Sequence, residues 1–147
     1  MKWNVLSSAG LVVLLLLVAA CGPIVSGEES NGGQVSDYAG FVDALRAEGA
    51  TVELGDTVSQ PFFSVDGQIL QVNGQDIQVF EYEDAASAEA QVELVSPDGS
   101  SVGTSMVTWV GPPHFYQAGR LIVLYVGDDA TTLQILESVL GPQFAGD

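Results

Sequence analysis

The sequence predicts an α+β domain: a mostly antiparallel sheet with two or three helices packed on one face. Three observations lead there. Strand-like runs are joined by tight turns, the clearest being Asn73-Gly74 between Gln68–Val72 and Asp76–Glu83; antiparallel neighbours need no more than that, whereas parallel ones need long crossovers. Apolar residues at helical spacing occur in only three places, each preceded by a capping Ser or Asp, which is too few for alternating crossovers. The run after Arg120, Leu121 to Val126, is apolar on both faces and reads as a central strand.

In chain order, Lys2 is a short positive segment, Gly10 to Val18 an apolar one built around Leu14-Leu15-Leu16-Leu17, and Val18-Ala19-Ala20-Cys21 a small-residue cleavage site ending in the only cysteine. This is the pattern of a secretion signal. It resembles the lipobox of bacterial lipoproteins. The resemblance implies cleavage between Ala20 and Cys21, a diacylglyceryl group on the Cys21 sulfur, and an acyl chain such as palmitate on the new amino group. An uncleaved transmembrane anchor is the rival. Its apolar run, Val5 to Ala20, is interrupted by Ser7, Ser8 and Gly10 and falls short of the ~20 residues that cross a bilayer. Each buried methylene contributes ~0.8 kcal/mol, so one chain binds marginally and two or three hold firmly. The expected location is the extracytoplasmic face of the cell membrane, with the lipid on Cys21 as the membrane contact.

Residues 1–20 are then the signal peptide, 21–35 the lipidated cysteine and a flexible tether, and 36–147 a single α+β domain. Cleavage leaves 127 of 147 residues, enough for one compact unit. With its cysteine committed to lipid, the mature chain has no disulfide. Gly27-Glu28-Glu29-Ser30-Asn31-Gly32-Gly33 has almost nothing to bury, and Gly22 to Val35 would reach about 20 Å as a random coil. Removal of Lys2 leaves 19 acidic residues against Arg46 and Arg120, a formal charge of −17. Nucleic acid is excluded as a partner, because a phosphate backbone needs a basic face. Anionic headgroups would likewise repel the domain.

The first helix is expected to start at Ser36 as N-cap, with Asp37 in its first turn, to present Tyr38, Phe41, Val42 and Leu45 as one stripe, and to end at Gly49. Strands follow at Thr51–Leu54 and Pro61–Val65, with Gly55-Asp56-Thr57 as the connection after the first. After the Asn73-Gly74 hairpin, Asp84 caps a helix from Ala85 to about Val95, closed by the turn Ser96-Pro97-Asp98-Gly99. Met106–Val110 reads as a strand, Gly111-Pro112-Pro113 interrupts it, His114-Phe115-Tyr116 resumes, and Gln117-Ala118-Gly119 turns into the central strand. Asp128 or Asp129 caps the last helix, with Leu133, Leu136 and Leu140 on one side and Gly141-Pro142 as its stop. The order is α-β-β-β-β-α-β-β-β-α. A hairpin followed by an Asp-capped helix occurs twice, at Gln68–Val95 and Phe115–Leu140.

No catalytic residue and no cofactor emerges. A nucleophile needs a base in reach; the mature chain has one histidine, His114, and no Gly-x-Ser-x-Gly elbow. No metal site is assigned: one histidine and no free thiolate fall below what zinc requires. Calcium would be the better guess, at Glu81, Glu83 and Asp84 or at Asp128 and Asp129, but neither group fits an EF-hand, and capping accounts for the same aspartates. Trp109, His114, Phe115 and Tyr116 form the candidate interaction patch; the alternative is that these aromatics complete the core.

Ser96-Pro97-Asp98-Gly99, Trp109, Pro113-His114-Phe115-Tyr116, the strand Arg120 to Gly127 and the closing Leu140-Gly141-Pro142-Gln143-Phe144-Ala145-Gly146 together resemble a group of uncharacterised small bacterial lipoproteins. The resemblance implies a recurring exported domain and assigns no catalytic residues. Two functions are expected: a non-catalytic binding or structural module of the cell envelope, with an envelope protein as its partner, or an acidic domain that binds a ligand or calcium or catalyses through carboxylates.

Overall fold

A computed structural model describes residues 35–147; the signal peptide, the Ala20–Cys21 cleavage site, the lipidated Cys21 and the tether up to residue 34 lie outside the described residues. The elements run α1 (Tyr38–Ala47), β1 (Val52–Val58), β2 (Gly67–Val72), β3 (Gln75–Glu81), α2 (Ala85–Val92), β4 (Ser101–Val102), β5 (Ser105–Met106), β6 (Pro113–Ala118), β7 (Leu121–Val126), α3 (Ala130–Leu140) and β8 (Ala145–Gly146). Six strands form one sheet in the order β1-β2-β3-β7-β6-β8, every pair antiparallel, while β4 and β5 pair separately. The fold is the expected α+β class.

Local chemistry sets several elements directly. Asn73 and Gly74 both take positive φ, 51° and 83°, as the two-residue turn between β2 and β3 demands. The Asp84 and Asp129 carboxylates accept from the Ser87 and Thr132 backbone N–H groups at 2.7 and 2.8 Å and open α2 and α3. Gly49 and Gly141 end α1 and α3 with φ of 85° and 84°. β7 is central and buried on both sides, as its unbroken apolar run requires.

Strand alternation then divides the core in two. Leu121, Val123 and Tyr125 join Leu70, Val72, Ile77 and Val79 under α1 and α3, which contribute Phe41, Leu45 and Leu136. Ile122 and Leu124 join Phe80 and Phe115 on the opposite face, beneath Ala88 of α2, Val95, Val102 and Phe63. Two helices therefore share one face as expected, and the third covers the other. Ala88 has no exposed surface, and its small side chain lets α2 approach the sheet closely.

Five details differ from the sequence expectation. Asp37, not Ser36, is the N-cap of α1, accepting from Gly40 N–H at 2.8 Å. The Ser36 carbonyl accepts from Arg120 N–H at 3.0 Å, and Gly119 lies so close that a Cβ there would sit 2.4 Å from the Ser36 Cα. Gly55-Asp56-Thr57 belongs to β1, where the pairing with β2 slips between Leu54 and Thr57; a Cβ on Gly55 would be 3.0 Å from Ile69, so this glycine serves a bulge and a close strand approach. Pro61–Val65 forms turns instead of a strand, which drops Phe63 onto Phe80 with ring centres 4.6 Å apart. Of the expected Met106–Val110 strand only Met106 pairs, in β5 with the unexpected β4, and Ala145–Gly146 adds an edge strand beside β6. The order is thus α-β-β-β-α-β-β-β-β-α-β. Three of these segments seal the second sheet face, where Phe63, Val102 and Ala145 join its core.

Candidate functional site

The strand β6 separates the residues expected to act as one patch. His114 and Tyr116 point to the α1/α3 side and Phe115 to the other, because neighbours on a strand face opposite ways. All three are buried, at 5%, 2% and 0% exposure, since both faces are covered; they do not form an exposed patch. Trp109 alone remains half-exposed, on the Phe115 side, with its ring centre 5.8 Å from that of Phe115.

His114 is a tie between three segments. Its Nε2 lies 3.0 Å from the Gly127 carbonyl, which can only accept, so Nε2 carries a proton. Its Nδ1 lies 2.6 Å from Gln143 Oε1, and the ring stacks on Tyr125 at 6.0 Å and 21°. Both nitrogens are occupied in holding β6, the end of β7 and the tail before β8 together.

That tail is fixed by backbone contacts. Gly146 N–H donates to the Pro97 carbonyl at 2.9 Å and Asp147 N–H to the Pro113 carbonyl at 3.2 Å. Gly146 has φ of 105°, and a Cβ there would lie 1.9 Å from the Pro113 oxygen, so only glycine fits. Asp147 thereby stands between two clefts. The first, about 360 Å³, is bounded by His114, Tyr116, Leu133, Glu137 and Gln143. Burial first, then the Glu137 charge, raises the Tyr116 hydroxyl above its ordinary value.

The second cleft, about 630 Å³, lies on the opposite side and is walled by Val107, Trp109, Val110, Pro112 and Pro113, with Asp98, Ser100 and Asp147 completing its lining. Its indole is pinned: Trp109 Nε1 donates to the Gly99 carbonyl at 2.7 Å, while Phe62 and Phe115 meet the ring edge-on at 5.9 and 5.8 Å. Gly99 takes φ of 68° and packs where a Cβ would touch Phe115 at 3.0 Å. Asp98 accepts from Ser96 Oγ, Ser100 N–H and Ser100 Oγ at 2.7, 3.0 and 2.8 Å, and these bonds hold its carboxyl down at about 2. It is an anion at any physiological pH. Val110 is fully exposed, and Met106 next to Val107 is 90% exposed. Sequence reading found the Ser96–Gly99 turn and Trp109 but missed Val107, Val110 and Asp147, whose meeting depends on the β8 strap.

Three of the five acidic residues considered for calcium have structural partners. Glu81 meets Arg120 at 2.9 Å and accepts from Tyr38 N–H at 3.0 Å; Asp84 and Asp129 cap helices. Among the described residues no three His, Cys, Asp or Glu side chains stand together as a metal site, and no helix is long and apolar enough to cross a membrane.

Fold and site together define a six-stranded α+β sheet sealed on both faces, with an indole-walled, acid-rimmed cleft outside it. No protein-family model matches the chain, and no curated protein or solved structure does either.

Proposed function

We propose that the protein is a non-catalytic binding module of the cell envelope, held at the extracytoplasmic face of the cell membrane by lipid on Cys21, and that it meets its partner at the Trp109 cleft. The observation that carries this reading is the pinned indole. An aromatic wall fixed by a 2.7 Å hydrogen bond and two edge contacts loses little entropy on binding, and the exposed Val110 beside it gains by being covered. His114, by contrast, has both ring nitrogens committed to Gly127 and Gln143, so its use as a base would break the tail's attachment. The anchor is supported by Val18-Ala19-Ala20-Cys21 after the leucine run and by the resemblance to small bacterial lipoproteins. Acidity fits this placement, since repulsion from anionic headgroups leaves the domain free of the surface.

Two measurements on the full-length chain in cells test the reading. Labelled palmitate is expected to enter the parent chain and not Cys21→Ser; a parent chain that stays on membranes without label would favour a transmembrane anchor. A photo-crosslinker in place of Val110 is expected to yield a discrete adduct, whereas one at Thr57, exposed on β1, yields none. Equal labelling at both positions would remove the cleft from the proposal.

A further inference from the structure

The cleft beside Trp109 combines apolar walls with an anionic rim, and no cation of the described domain serves it. Its apolar wall is Val107, Trp109, Val110 and Pro112, and its acids are Asp98 and Asp147. The two arginines are engaged elsewhere, Arg46 with Asp43 at 3.9 Å within α1 and Arg120 with Glu81 at 2.9 Å beside the start of α1. Serine hydroxyls and a backbone N–H keep Asp98 ionised, so the rim charge is permanent.

Charge decides among the occupants. The chain's own segment before residue 35 carries Glu28 and Glu29, and between Gly22 and Gln34 it has no Lys or Arg. A second copy carries a formal charge of −16. Each would bring like charge to the rim, which opposes association. A lipid headgroup with a quaternary ammonium carries a phosphate beside it that would meet the same acids. A basic protein segment meets opposite charge at the rim and apolar surface within.

We propose that the Trp109 cleft docks a segment of a partner protein in which Lys or Arg alternates with aliphatic residues, the aliphatic groups against Trp109 and Val110 and the cations beside Asp98 and Asp147. This rests on the reading of the chain as a binding module and specifies its partner's chemistry. Oppositely charged rims speed encounter and fix orientation, while the apolar contact supplies the affinity.

The test uses the full-length chain in micelles of a zwitterionic detergent with Trp3→Phe, which leaves Trp109 as the sole indole. The probe is a short capped peptide alternating leucine and lysine, titrated against indole emission. The expected result is a saturable shift to shorter wavelength whose affinity falls about tenfold as salt rises from dilute to ~0.5 M. Asp98→Asn combined with Asp147→Asn, which retains the Ser96 and Ser100 acceptor at position 98, weakens it about three- to tenfold. Val110→Lys, at a fully exposed position that leaves the fold intact, abolishes the shift. A peptide with glutamine in place of lysine that binds as tightly and without salt dependence would overturn the basic partner while keeping the cleft as a binding site. A shift with phosphatidylcholine vesicles and none with peptide would overturn it in favour of the membrane. If no probe perturbs Trp109 the basic-partner proposal falls, while the crosslink at Val110 decides the binding-module reading separately.

Discussion

Tyr82 carries a hydroxyl that is buried without a hydrogen-bond partner among the described residues. Such a group loses water and gains nothing, so Tyr82→Phe should raise stability by ~1 kcal/mol in denaturant unfolding. Burial also pushes its ionisation from 10.0 up to about 12. A folded-state value above the unfolded one means that stability is complete below pH 10 and is lost as pH rises toward 12. The phenylalanine variant should therefore lose less stability than the parent across that window; an unchanged alkaline slope would show that Tyr82 ionises without cost. At this scale the sequence was informative where a residue's own backbone need was the question, as at Asn73-Gly74. It was uninformative about Gly146, whose necessity comes from the Pro113 oxygen thirty-three positions earlier in the chain.

Elements were legible where their ends are written in local chemistry. The carboxylates of Asp84 and Asp129 each bond the backbone N–H three residues on, and both ionise below the ordinary value of 3.8, chiefly through Ser87 and Thr132. Asp129→Ala should lower stability by removing the cap. Because the folded value is depressed, the contribution of Asp129 is present above pH 3.8 and disappears as pH falls below it. The alanine variant should differ from the parent at pH 7 and converge with it in strong acid, measured by thermal unfolding; a constant gap across that range would reject the capping account. Strand segments were less legible. Pro61–Val65 and Met106–Val110 have strand composition, yet Phe63 and Trp109 are drawn inward as plugs over Phe80 and Phe115. Apolar, β-prone composition does not by itself say whether a segment is paired.

The whole molecule balances a sealed core against a large negative charge. Both arginines already have acidic neighbours, so the remaining carboxylates repel one another through solvent. Added salt should stabilise the fold, on the order of 1 kcal/mol or roughly 4 °C for a domain of this size, before any specific ion effect. A melting temperature that falls with salt would mean that the Arg120–Glu81 pair outweighs the general repulsion. The candidate site belongs to this scale as well, because its walls come from the Ser96–Gly99 turn, the segment after β5, the start of β6 and the β8 tail. By itself, the sequence determined the α+β class, the hairpin, the aspartate caps of α2 and α3 and the central strand, all of which rest on neighbours within a few residues. Only the tertiary structure decided that α2 and the irregular aromatic segments cover the second sheet face, that His114, Phe115 and Tyr116 are core, and that Trp109 ends beside Asp147. Those outcomes depend on which apolar surface remains open after the sheet has formed, a quantity that no local pattern contains.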